Sequence, residues 1–200
     1  MRKSIRFLST TVLGVPGTIL AGSHAFAIPI TYIEQATATG TLGGAPFSGT
    51  VVLTMKNDTT NVTGAPPVFT NIGPLTLNVT GFPTATFTDI IQAAVNQTAS
   101  PGNPAAGFGD NTENLAILFT TNNLFSTYDL KTAFGPILGP ASFNTGASFP
   151  TTDGLFVLDT IPNAVTFTAT TAAAAPEPAS LTILGAALAG LGLLVRRRKS

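Results

Sequence analysis

The sequence predicts an all-β domain, an antiparallel β-sandwich of Ig-like or jelly-roll kind, with an N-terminal signal peptide before it and a C-terminal transmembrane helix after it. Three observations carry this. Apolar residues alternate with Thr, Ser and Asn at period two in run after run, the pattern of strands buried on one face. Clusters of Gly, Pro, Asn and Asp separate the runs, as turns do. The 20 Gly and 15 Pro among 200 residues fall below the roughly 25–30% at which a chain without a repeat reads as disordered.

In chain order, a strand is expected from Ile30 to Thr41, followed by Phe47 to Lys56, where Phe47, Gly49, Val51, Leu53 and Met55 share one face. Leu75, Leu77 and Val79 alternate with Thr76, Asn78 and Thr80, and Ala85 and Phe87 alternate with Thr84, Thr86 and Thr88. A short helix is the alternative for Asp89 to Asn96, where Ile90, Ile91, Ala93 and Ala94 fit either period. Further strands are expected at Asn114 to Thr120, Leu124 to Leu130, Leu155 to Thr160 and Val165 to Thr170. That makes about eight strands in one domain over residues 28–170, a size at which a single core forms. Residues 171–175 then form a linker.

Nine basic and nine acidic residues cancel over the whole chain, but their placement does not. Between residues 28 and 175 only Lys56 and Lys131 stand against eight acids. This excludes a basic nucleic-acid-binding body. There is no Cys, and the single His, His24, lies in the leader. Past that leader the chain lacks the side chains for a Cys or Ser/His nucleophile, a zinc site or a disulfide framework, and no cofactor is expected.

Arg2, Lys3 and Arg6 precede an uncharged stretch from Phe7 to Ala21, and Ala25-Phe26-Ala27 supplies small residues at both cleavage positions. These are the three parts of a secretory signal peptide over residues 1–27, to be removed by signal peptidase after Ala27. At the other end, Pro176-Glu177-Pro178 precedes the uncharged Leu181 to Val195, then Arg196, Arg197, Arg198 and Lys199. As a helix, residues 181–195 span about 22 Å, short of the roughly 30 Å hydrocarbon core. The four cations hold the tail's end cytoplasmic and everything before Pro176 outside. A plain single-pass anchor is the alternative.

Residues 176–200 resemble the PEP-CTERM sorting tag of bacterial exported proteins, a tail region also labelled as the C-terminal domain of ice-binding proteins. The resemblance implies a transient stay in the inner membrane and cleavage near Pro176-Glu177-Pro178 by an exosortase, a membrane-embedded cysteine peptidase. It further implies release to the cell surface or extracellular matrix, with exopolysaccharide a possible neighbour there. The tag speaks only for the tail, not for the body's activity. The segment Ser126 to Ile137 also looks like one that recurs in exported proteins with this tag.

Within the body, Asp110 and Glu113 lie in a Gly-led loop with Asn111 and Asn114, oxygen donors of the kind Ca²⁺ takes, though outside the EF-hand pattern. The same two acids, or Asp129 with Asp153, are the pairs a glycoside hydrolase would need across a cleft. Runs of Thr at 37, 39 and 41, at 84, 86 and 88, and at 166, 168 and 170 repeat hydroxyls at roughly 6.7 Å along a strand face. Such ladders suit ice or a sugar lattice where several align on a flat sheet. The absence of Trp and the presence of only two Tyr argue against an aromatic carbohydrate-binding platform. The reading is an exported, non-catalytic surface or matrix protein. A carbohydrate-binding module, a glycoside hydrolase and an ice-binding protein are the alternatives.

Overall fold

The computed structural model describes residues 27–98 and 103–172. These form fourteen strand segments and two 3₁₀ turns in two antiparallel sheets. In chain order the strands are β1 (Pro29–Leu42), β2 (Ala45–Asp58), β3 (Val62–Ala65), β4 (Val68–Ile72), β5 (Leu75–Val79), β6 (Ala85–Thr86) and β7 (Ile91–Asn96). Then come β8 (Ala105–Asp110), β9 (Leu115–Thr121), β10 (Phe134–Gly139), β11 (Ala141–Ser142), β12 (Ser148–Thr151), β13 (Gly154–Thr160) and β14 (Val165–Thr171). Strands in pairs and triplets alternate between the sheets, except that β10 and β11 change sheet singly. The larger sheet has the order β10-β14-β1-β2-β5-β6 with β13 and β12 joined to β1, and the smaller has β11-β9-β8-β7-β4-β3.

The alternation read from the sequence sets β1 and β2. Along β1 every second residue from Ile30 to Leu42 is buried, and β2 pairs with it from Pro29↔Asp58 to Leu42↔Ala45. Both run further than their apolar residues require, so Asn57 and Asp58, residues of the turn-forming kind, close the ladder instead. On its other edge β1 changes partner midway. Its first half pairs with β14 (Ile30↔Thr171 to Gln35↔Thr166) and its second with β13 (Thr39↔Thr160 to Leu42↔Phe156), with an irregularity between Thr39 and Gly40. Gly40 makes the change possible, because a Cβ there would strike the carbonyl oxygen of Val157 and the ring of Phe47.

Beyond this switch the large sheet closes on itself. β6 continues into a bridge between Phe87 and Thr151 of β12. Thr88 N donates to Pro150 O at 3.1 Å and Thr152 N to Thr86 O at 2.9 Å. With β12 on β13 and β13 on β1, the ring β1-β2-β5-β6-β12-β13 is complete. Closure removes free edges, and four buried phenylalanines fill the ring: Phe47, Phe87, Phe149 and Phe156. Phe47 and Phe156 stack at 5.9 Å, and Phe87 meets Phe156 edge-on at 6.0 Å.

The two sheets share one hydrophobic core. At the end away from the ring it centres on Phe125, which lies 5.7 Å from Phe134, 5.5 Å from Phe167 and 6.4 Å from Tyr128. Truncating so enclosed a ring removes its burial and leaves a cavity. Phe125→Ala is expected to cost about 3–5 kcal/mol, read from the shift in urea midpoint.

Three expectations need correction. Residues 91–96 form β7 and not a helix: Ile91, Ala93 and Val95 are buried on one face and Gln92 and Asn96 only partly on the other, where the small Ala94 is buried as well and obscures the period. Residues 124–130 do not form a strand. Asn122 accepts from Leu124 N at 3.0 Å and starts a 3₁₀ turn, Asn123–Thr127, that drives Phe125 into the core. The count of about eight strands is too low, because β3, β4, β8, β10, β11 and β12 are short or rich in Gly, Ala and Pro. β14 extends to Thr171, one residue into the expected linker.

Candidate functional site: the pole where both chain ends leave

β1 begins and β14 finishes side by side. Ile30 is opposite Thr171, and Ala172 N donates to Pro29 O at 3.0 Å. Ala27, the expected signal-cleavage residue, is exposed directly before the strand. The next residue is held at both backbone groups: Ile28 N donates to Thr59 Oγ1 at 3.3 Å, and Thr59 N donates to Ile28 O at 3.0 Å.

A buried polar chain holds this pole together. Tyr32, fully enclosed, donates to Leu130 O at 2.7 Å and accepts from Asn71 Nδ2 at 3.0 Å. Asn71 also donates to Asp58 O and accepts from Asn57 Nδ2, and Asn61 reaches Asn57 Oδ1 from the surface. The chain joins β1 and β2 of one sheet to β4 of the other. Burial pushes the Tyr32 hydroxyl up to about 12 and that of Tyr128 higher still, so both remain protonated donors. Leu130 supplies its carbonyl from a left-handed backbone (φ 64°), and Tyr128 stacks on Phe134 at 4.4 Å. The segment from Ser126 to Ile137, noticed in the sequence, thus forms the corner on which Tyr32 rests.

Sequence reasoning passed over Glu34. It lies midway along β1, wholly buried between the sheets, with Thr120 N donating to Oε1 at 3.1 Å and Thr120 Oγ1 to Oε2 at 2.9 Å. Burial, only partly offset by these bonds, raises its carboxyl well above the usual range. Gly107 makes room for it, since a Cβ there would lie 3.0 Å from Oε1 and would strike Leu118 O. The signal was present: Glu34 falls in phase with Ile30, Tyr32, Ala36 and Ala38, all core residues.

The other sequence candidates are dispersed. Asp110 is buried and accepts from Thr112 N at 2.7 Å and Glu113 N at 3.3 Å, shaping the β8–β9 hairpin, while Glu113 is exposed. Partial burial, and after it Asp110, raises Asp89 above its ordinary value. Among the described residues no three His, Cys, Asp or Glu side chains are grouped to hold a metal. Asp129 caps Lys131 N beside the corner that holds Tyr32, whereas Asp153 sits against Gly43 at the far turn. Roughly 35 Å of β1 separates those two ends. The Thr runs at 37–41 and 166–170 lie on the outer face of the large sheet, but the first lies where that sheet curves into the ring, so the two do not share one flat face. Thr84 to Thr88 crosses from a loop through β6 into the closing bridge.

The fold and its pole define an all-β domain whose first and last strands deliver both chain ends to one place. Residues 174–199 match the PEP-CTERM protein-sorting motif, so the chain carries the signal of an exported protein sorted by an exosortase at the membrane toward the cell surface. No curated protein and no solved structure matches the chain. Ala25, the motif residues Pro176, Glu177 and Pro178, the helix expected at 181–195 and the cations Arg196 to Lys199 lie outside the described residues. Among the described residues no helix is long and apolar enough to cross a membrane.

Proposed function

We propose that the chain is a non-catalytic structural protein of the cell surface or extracellular matrix, made as a membrane-held precursor and released by cleavage at Pro176-Glu177-Pro178. The observation that carries this is the sorting motif beginning two residues after Ala172, the last residue bonded to the sheet. Signal peptidase acts before Ile28 and exosortase at the tail, and both junctions serve one pole. The body suits a hydrated polysaccharide surrounding, because its outer strands present Thr hydroxyls and few charges. Both tyrosines are buried, which disfavours an aromatic sugar platform. The two-sheet body belongs with the β-sandwiches. An Ig-like parentage would have seven to nine strands and a jelly-roll one eight, fewer than are present here. Intact mass of the surface-released protein tests the reading. A chain starting at Ile28 and lacking the residues after Pro178 is expected; a released chain retaining Ser200 overturns it.

A further inference from the structure

The close approach of the sorting motif to the last ladder bond has a mechanical result. Three residues, Ala173 to Ala175, separate Ala172 from Pro176. A peptidase takes its substrate as an extended segment of several residues around the cut bond, often adding it as a strand. On the N-terminal side of Pro176 those residues are soon the ones committed to β1. Thr171 faces Ile30, and Ala172 N is given to Pro29 O at 3.0 Å. The same backbone cannot lie in both ladders.

We propose that the end of β14 is a latch on processing: the exosortase gains the tail only when the Thr171–Ala172 end of β14 frays from Ile30 and Pro29. This rests on cleavage near Pro176. The bond that breaks is a peptide bond, whose acyl side passes to the peptidase thiol and whose amine side takes up the thiol's proton and leaves with the tail; water then takes the acyl group from the thioester and returns a proton to the sulfur, freeing the body. The latch acts before that step, by limiting the fraction of chains in which the segment is free. Terminal rungs open at small free-energy cost, so the latch slows cutting without blocking it. The latch exists only once β14 has docked on β1, so it slows cutting of the folded body and leaves a chain with β14 still free unrestrained.

The full-length chain in cells that possess the exosortase, followed by pulse-chase for loss of the tail, tests this. Ala172→Pro removes the N–H given to Pro29 and leaves the spacing and residues 174–199 unaltered. Its backbone preference still suits an extended strand end. Loss of about one net hydrogen bond predicts cutting roughly fivefold faster. A six-residue Gly/Ser insertion between Ala172 and Ala173 frees the tail without touching the ladder, and is expected to speed cutting about tenfold, more than one rung's worth. Combining the two should give no more than the insertion alone. Equal rates in all four chains overturn the latch, as does the same Ala172→Pro factor with and without the insertion, which would mark direct recognition of residue 172. A wild-type chain that keeps Ser200 in these cells instead overturns processing itself.

Discussion

Glu177→Ala is expected to leave the protein exported but uncut, with the basic tail attached and the body held at the inner membrane. Pro176 and Pro178 donate no backbone N–H, so the Glu177 carboxylate is the prominent polar group of the motif. Removing it should lower processing about ten- to a hundredfold, the scale on which loss of a hydrogen bond to a charged group acts. Fractionation with mass analysis of the C-terminus checks the outcome. A permanent anchor predicts no difference between wild type and variant, both ending at Ser200.

The second large effect concerns pH. Glu34 enters the core as a neutral acid, whereas the unfolded chain ionises near its ordinary value of 4.5. A carboxyl whose native value is raised favours the fold fully below the unfolded value and progressively less as pH rises toward the native one. Stability should therefore fall from pH 4.5 upward until Glu34 ionises in the native state, by up to about 1.4 kcal/mol per pH unit for the one proton. Asp89, also raised, contributes in the same direction. Among the described residues no cation is buried beside it: β9 and β14 carry no charged residue, Lys56 of β2 and Lys131 are exposed, and Asp110 of β8 serves its own hairpin. Glu34→Gln keeps an acceptor for Thr120 N and cannot ionise. Its urea midpoint should change little between pH 5 and 8 and exceed that of the wild type at pH 8. Parallel pH profiles would mean that Glu34 is ionised in the fold or compensated from elsewhere.

These two residues mark what was legible in the sequence. Glu177 stands in a linear motif, and a linear motif can be read without a fold. The strands β1, β2, β5 and β14 were equally plain, because Val, Leu, Ile and Phe alternate with Thr and one face is buried. β7 was ambiguous because alanine suits both periods, and β8, Ala-Ala-Gly-Phe-Gly-Asp, has little strand propensity of its own and is held by neighbours on either edge. Ring closure was out of reach: it depends on Phe87 meeting Thr151, far along the chain. The purpose of Glu34 depends on Thr120 in the opposite sheet, a pairing that no local spacing encodes.

The pairing of the first strand with the last also imposes an order of events on folding. β1 leaves the ribosome early and can form its long hairpin with β2 at once, since the two are joined by a tight turn at Gly43 and Gly44. Its other edge must wait for β13 and β14, which are made last. Such distant contacts make folding slow, because the chain entropy is lost before the contact is gained. Throughout that delay β1 has an unpaired edge, the kind that draws neighbouring chains into aggregates. Docking of β13 and β14 therefore covers that edge in the same event that completes the large sheet.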